Sequence, residues 1–137
     1  MKVLLDTGFA VALFNQGDLR HHDVLKVMQH TREDVLFPVP ATTETFYLLR
    51  RDAGTEVAVR FVSALASGSL LLENPLSQDY QRAAEIIRVY ADTNLDFVDA
   101  IIVAIAERLN ITRILTLDQR DFRIIRPRHC TAFELLP

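Results

Sequence analysis

The stretch Asp96-Phe97-Val98-Asp99-Ala100-Ile101-Ile102-Val103-Ala104-Ile105-Ala106-Glu107-Arg108-Leu109, followed by Ile114-Leu115-Thr116-Leu117-Asp118, decides the architecture. Val98, Ile101, Ile102, Ile105 and Leu109 recur at helical spacing, which predicts a helix over Phe97 to Leu109 with one apolar stripe. Ile114 to Leu117 then reads as a short buried strand that ends at Asp118. Working outward, the amino terminus repeats the pattern. Val3-Leu4-Leu5 is a strand closed by Asp6, and Phe9 to Phe14 is a helix stopped by Gly17. Asp18 is placed to cap a further helix to about His30. Val35-Leu36-Phe37 reads as a second strand, stopped by Pro38 and Pro40. Thr42 or Thr43 then caps a helix through Leu49, with Gly54 as its terminator. Another helix spans Thr55 to Ala66 and closes at Gly68. Leu70-Leu71-Leu72 is a third strand, ended by Asn74-Pro75. Ser77 caps a helix carrying Ala83, Ala84, Ile87 and Tyr90, and Asp92 to Asn94 break it. Ile124-Ile125, before Arg126-Pro127, is the candidate fifth strand. Strands alternating with helices predict an α/β fold with a mostly parallel sheet of four to five strands and helices on both faces. In such sheets sites lie at the carboxyl ends of strands, where Asp6 and Asp118 stand.

Composition narrows the class. The chain has 137 residues, half of them hydrophobic, which suits one domain over residues 1–137. The single cysteine, Cys130, excludes an internal disulfide framework and a Cys-rich zinc site. With 24% charged residues, four Gly and five Pro, the chain is neither disordered nor collagenous. Met1 to Asp6 is too short and too soon interrupted for a signal peptide, and the apolar run Ala100 to Ala106 is far short of a bilayer span. A cytoplasmic protein without membrane contact is expected. A net charge of −3 lacks the strongly basic signature of many nucleic-acid binders.

Eleven Asp and seven Glu are present, and most read as solvated surface charges. Four are placed differently. Asp6 and Asp118 close strands, while Glu44 and Asp99 sit in the first turns of helices. Singly, each reads equally well as a functional carboxylate or as a structural one, Glu44 and Asp99 as first-turn acids favoured by the helix dipole and Asp6 and Asp118 as turn or cap residues. Together they can converge on one edge of a parallel sheet. Four like charges in one crevice repel one another, and a hard divalent cation removes that cost. Oxygen donors select Mg²⁺ or Mn²⁺ over zinc, and two such ions can activate water and stabilise the leaving oxygen of a phosphodiester. Asp96 lies three residues before Asp99. It either shares a helical face with Asp99, or Asp96 or Asn94 caps the helix, and a cap is favoured. Asp121 reads equally as an auxiliary ligand or a loop charge. Thr7 and Thr116 neighbour the strand-end acids, and their hydroxyls can hold a carboxylate or a water.

These blocks carry a resemblance. Val3-Leu4-Leu5-Asp6-Thr7, Glu44 within Pro40-Ala41-Thr42-Thr43-Glu44-Thr45, Asp96 to Ala104, and Ile114 to Phe122 are together similar, in order and spacing, to the PIN-domain family, and within it to the VapC-type ribonuclease toxins. The resemblance covers nearly the whole chain. It implies a PIN-like three-layer α/β/α domain. Asp6, Glu44, Asp99 and Asp118 would be the catalytic, metal-holding acids, Thr116 the hydroxyl residue two before the last acid, and Asp121 an auxiliary acid. It further implies Mg²⁺- or Mn²⁺-dependent cleavage of RNA, a homodimer, and a cognate antitoxin that blocks the site. None of the four acids is missing.

Other readings compete. Asp6-Thr7-Gly8 resembles an aspartic-protease triplet, but those enzymes are all-β and the helical stripes from Ser77 to Leu109 count against them. A phospho-receiver domain needs a lysine after a late strand, and the only lysines are Lys2 and Lys26. The serious alternative is a non-catalytic PIN-like module that binds RNA or protein. His21-His22 reads as a surface or capping pair, Cys130 as a packing thiol, and Phe133-Leu135-Leu136 as core or dimer packing. Thirteen Arg stand against two Lys. Arginine grips phosphate through a planar fork, although codon bias gives the same excess. Arg50-Arg51 merit testing, and Arg120, Arg123, Arg126 and Arg128 follow the fourth acid and are the candidate RNA contacts. Setting the four acids aside turns the net charge of −3 into +1. The acidity then belongs to one crevice and no longer argues against RNA.

Overall fold

The apolar runs of the sequence form a five-stranded, all-parallel sheet in a computed structural model that describes residues 1–137. Strands β1 (Lys2–Leu5), β2 (Asp34–Pro38), β3 (Leu71–Glu73), β4 (Arg113–Leu115) and β5 (Glu134–Leu136) lie in the order β3-β2-β1-β4-β5. Val3 pairs with Val35 on one side of β1, and Leu4 pairs with Ile114 on the other. The helices are α1 (Thr7–Phe14), α2 (His21–His30), α3 (Val39–Ala53), α4 (Thr55–Ser67), α5 (Ser77–Val89), α6 (Phe97–Leu109) and α7 (Gln119–Ile124). Crossovers from β1 to β2 to β3 run one way along the sheet, and those from β3 to β4 to β5 run the other way. Right-handed crossovers therefore put α1–α4 on one face and α5–α7 on the opposite face. The helix packing agrees, since α1 to α4 touch among themselves and α5 packs on α6. The order reverses between β1 and β4, so their carboxyl ends form the switch-point crevice of an open parallel sheet.

One apolar core of 31 buried residues joins both faces. Val98 to Ala106 of α6 are buried without a break. The expected single stripe is thus too narrow: a helix that is apolar all round belongs inside, here between the sheet and α5.

Several boundaries differ from expectation for physical reasons. Pro40 does not merely stop β2. It occupies the first turn of α3, where a missing N–H costs nothing. α3 therefore begins at Val39, Thr42 and Thr43 lie inside it, and Glu44 falls in its second turn. Ile124-Ile125 is not a strand. Ile124 ends α7, a helix too short to show a period, while Phe122 and Ile125 face inward. The fifth strand is Glu134–Leu136 in the tail, where Phe133 is buried and Leu135 and Leu136 pack on the core. Asp18 accepts the Arg20 N–H at 2.8 Å in the turn before α2, two residues ahead of the cap position, which Arg20 occupies. His21 does act as a cap, its Nδ1 donating to the Ala12 carbonyl at 2.8 Å. No helix is long and apolar enough to cross a membrane.

Candidate active site

Asp6 leaves β1 in extended conformation and starts α1, where its Oδ1 accepts the Thr7 N–H at 2.8 Å. Its backbone N–H stays tied to the Leu115 carbonyl, so β4 fixes where Asp6 stands. Across the switch point, Thr116 follows β4 with no exposed surface. Its hydroxyl donates to Asp6 Oδ2 at 2.8 Å and accepts the Asp118 N–H at 2.9 Å. One buried hydroxyl thereby sets both strand-end acids relative to each other. Asp96 and Asp99 close a reciprocal cap at the start of α6. Asp99 N–H donates to Asp96 Oδ1 at 3.0 Å, and Asp96 N–H donates to Asp99 Oδ2 at 3.3 Å. Asp96 is thus the cap, extended and outside the helix, and it also lines the crevice.

Asp6, Glu44, Asp99 and Asp118 line one crevice of about 400 Å³, with Thr7, Gly8, Asp96 and the apolar Leu48, Val98 and Leu117 as its walls. Ligand oxygens of Asp99, Asp118 and Asp121 all lie within 4.8 Å of one another. No arginine, lysine or histidine lines the crevice. The electrostatic result is severe. Burial, only partly offset by the Thr116 hydroxyl and the Thr7 N–H, raises the Asp6 pKa to about 6. Burial, then the neighbouring Asp6 and Asp96 charges, raise that of Asp99 to about 8. Glu44 is raised by burial and by Asp96, and Asp118 by burial and by Asp121. Carboxylates crowded this way resist ionisation unless a cation joins them.

The donor set suits a hard divalent cation. It is all oxygen, without His or Cys, which favours Mg²⁺ or Mn²⁺ over zinc. Thr7 keeps its hydroxyl buried and without a hydrogen-bond partner beside the acids, as an atom does when it awaits a ligand or a water.

The arginines divide. Arg128 is drawn away from the crevice, its Nη2 3.2 Å from Glu85 and its N–H on Glu107. Arg120, Arg123 and Arg126 have no carboxylate partner; Arg123 bonds Gln119, and Arg126 bonds the Arg123 carbonyl. All three are exposed on or just after α7. Sequence reasoning missed a second charged cluster. Asp79, buried and read as nothing special, holds Arg108 at 2.9 Å, while Arg82 holds Glu107 at 2.7 Å. The residues are 25 to 29 apart, and nothing local signals such pairs. Asp92, expected only to break a helix, and Asn94, expected to break it or to cap the next, line a small cavity together with Asp121.

Comparison with known proteins bears on the family and the fold. Ribonuclease VapC26 of Mycobacterium tuberculosis is 27% identical over 135 residues, spanning 98% of this chain and all of that protein. The crystal structure of Mycobacterium tuberculosis VapC20, described as a sarcin-ricin loop cleaving toxin, is 25% identical and superposes with a TM-score of 0.77 over 82% of this chain and 86% of that one. VapBC2 of Rickettsia felis, solved bound to a DNA fragment from its promoter, is 14% identical, with a TM-score of 0.71 over 98% and 97% of the two chains. The model of the PIN domain matches residues 3–126, a span that contains every acid of the crevice. With that match over most of its length, the chain belongs to the PIN-domain family.

Proposed function

We propose that this protein is a metal-dependent endoribonuclease, the toxin of a toxin–antitoxin pair, acting as a single domain in the cytoplasm. The observation that carries the reading is the crevice lined by five carboxylates, Asp6, Glu44, Asp96, Asp99 and Asp118, with no basic side chain among them. The likeness to VapC26 and to the sarcin-ricin loop cleaving VapC20 supports RNA as the substrate. All four acids are present, which counts against a non-catalytic module.

In this reading Asp6, Glu44, Asp99 and Asp118 hold Mg²⁺ or Mn²⁺, with Asp121 beside them. The cation supplies charge neutralisation and an acidified water for attack on a phosphodiester. The chain's own work is positioning. Thr116 fixes Asp6 against Asp118, Asp96 fixes Asp99, and the free Thr7 hydroxyl is available to a water or a phosphate oxygen. Leu48, Val98 and Leu117 limit water on the flanks. Arg123 and Arg126 meet the RNA backbone, whereas Arg128, engaged by Glu85, contributes less.

Complexes among the structural neighbours, such as the toxin-antitoxin complex of Klebsiella pneumoniae, support an antitoxin partner. The apolar groove between α3 and α4, about 250 Å³ and lined by Phe46, Phe61, Val62 and Leu65, suits an antitoxin arm. Leu72, Leu76, Tyr80 and Phe97, each about half exposed, with the last two rings stacked at 6.3 Å, form a face suited to a second copy.

The decisive experiment is cleavage of RNA by the purified protein. EDTA should stop cleavage and Mn²⁺ should restore it, and Asp6→Asn should be inactive with an unchanged circular-dichroism spectrum. Cleavage at the same rate in EDTA would defeat the metal reading, and a fully active Asp6→Asn would defeat the site.

A further inference from the structure

Beside the acidic crevice lies a second, polar cavity of about 170 Å³, lined by Asp92, Thr93, Asn94, Arg120, Asp121 and Ile124. We propose that this pocket reads one unpaired guanine base of the RNA next to the cleavage site. The proposal rests on the nuclease reading for its substrate class, and it adds a specificity determinant to it.

The pocket adjoins the crevice through a shared residue. Asp121 lines the cavity, and its carboxylate belongs to the cluster with Asp99 and Asp118. A base held here therefore flanks the reacting phosphate. The volume equals about five or six waters at roughly 30 Å³ each, room for one base and not for a pair.

The pocket also has unspent hydrogen-bonding capacity. The side chains of Asp92, Asn94 and Arg120 make no hydrogen bond or ion pair within the protein, although nearby Thr93 and Arg123 do. Arg120 thus stays more than 4.0 Å from the carboxylates that share its cavity. Meanwhile hydrogen bonds hold the backbone around the pocket. Thr93 hydroxyl donates to the Tyr90 carbonyl at 2.7 Å and accepts the Leu95 N–H at 3.2 Å. Tyr90 hydroxyl accepts the Arg126 N–H at 2.9 Å, tying the turn to the end of α7. Free donors and acceptors converging on one concave site, on a backbone held by hydrogen bonds, suit recognition of a polar ligand.

The chemistry selects among bases. Guanine presents two adjacent donors, N1–H and the N2 amino group, to a carboxylate, and two adjacent acceptors, O6 and N7, to a guanidinium fork. Asp92 and Arg120 are those two partners. Adenine suits Asn94 but leaves the carboxylate with a single donor and the fork without its acceptor pair. Ile124, 43% exposed, offers an apolar wall for the face of the ring. Because Asp92 takes the Watson–Crick edge, the base must be unpaired, as in a loop or a single strand.

The test uses wild-type protein with Mg²⁺ and short fluorescent oligo-U strands carrying a single G, A or C. Affinity is read by anisotropy before turnover, and cut positions are mapped on the same strands. The G strand should bind about tenfold or more tighter than the others, with cuts beside the G. Asp92→Asn and Arg120→Met, both at exposed positions, should each bring its affinity down to that of plain oligo-U. Equal affinity for all strands, a preference for A, or a G preference that survives both variants would overturn the pocket. G-selective binding without any cleavage would sustain the pocket and remove the nuclease reading. Cleavage with no base preference would do the reverse.

Discussion

The two ends of α6 solve the same problem in opposite ways. At its start, Asp99 is buried beside Asp6 with no cation near, and its pKa is raised to about 8. At its end, Glu107 is also partly buried, yet the Arg82 guanidinium and the Arg128 N–H outweigh that burial and hold its pKa below the ordinary range. Asp79, packed against the same end, is gripped by Arg108 and also accepts the Leu76 N–H at 2.8 Å. Cavities of similar size adjoin both ends, about 400 Å³ at the start and about 350 Å³ at the end. Charge compensation separates them. A buried carboxylate with its guanidinium is part of the scaffold. A buried carboxylate without one is held at a cost to stability, and such costs persist where function needs them.

Neutralising one acid at each end would break or sharpen that contrast. Asp79→Asn leaves Arg108 buried with only Glu73 at 3.7 Å, so it should destabilise by about 3 kcal/mol, or roughly 10 °C in melting temperature, while Mg²⁺ binding persists. Asp99→Asn should do the reverse. The metal-free melting temperature should hold or rise, Mg²⁺ should no longer raise it, and RNA cleavage should fall by about a thousandfold, beyond the ten- to hundredfold typical of outer positions around a metal. Calorimetry with and without Mg²⁺, paired with a cleavage assay, reads both. A stable, inactive Asp79→Asn together with an unstable, active Asp99→Asn would invert the assignment of the two ends.

The sequence showed the first end and hid the second. Asp6, Asp99 and Asp118 are legible because a strand end or a helix start fixes each within a few residues, and parallel topology then brings those ends together. Glu44 is legible as a helix-start acid after β2, although α3 begins at Val39 and brings it to the crevice from the second turn. The pairs Arg82–Glu107 and Arg108–Asp79 depend on how α5 crosses α6, which no local pattern encodes. β5 was misplaced for a similar reason. Glu134–Leu136 has three residues and becomes a strand only because β4 offers an open edge, with Leu115 pairing with Leu136. Ile124-Ile125 has the stronger strand composition, but Ile124 closes α7 and Ile125 is its extended cap, buried in the core.

A smaller effect should separate holding the acids from being one. Thr116→Val removes the only donor to Asp6 Oδ2 and the only acceptor of the Asp118 N–H, with nearly unchanged volume. Cleavage should drop about ten- to hundredfold, with a matching rise in the Mn²⁺ concentration needed for half-maximal activity. Thr116→Ser keeps the hydroxyl and should recover most of both. If valine lowers the melting temperature but leaves the Mn²⁺ requirement unchanged, Thr116 serves the core alone.

The smallest effect is the pH dependence of stability, and the two ends should pull it in opposite directions. Asp6 and Asp99 have folded pKa values of about 6 and about 8, above the ordinary 3.8, so between pH 4 and 8 the folded state binds more protons than the unfolded one. Stability in EDTA must then fall as pH rises through that window. Between pH 6 and 8 Asp99 is the main contributor, at most one proton or about 1.4 kcal/mol per pH unit. Glu107 is depressed, so its contribution is present at neutral pH and is lost only as pH falls through and below the ordinary carboxylate range. Saturating Mg²⁺ should flatten the alkaline side and leave the acid side unchanged, because only the crevice end of α6 has acids in want of a cation. Thermal melts in EDTA across pH 4 to 8 would show it. A metal-free protein whose stability rises from pH 6 to 8 would mean that the crevice carboxylates are already compensated, and the contrast between the two ends would fail.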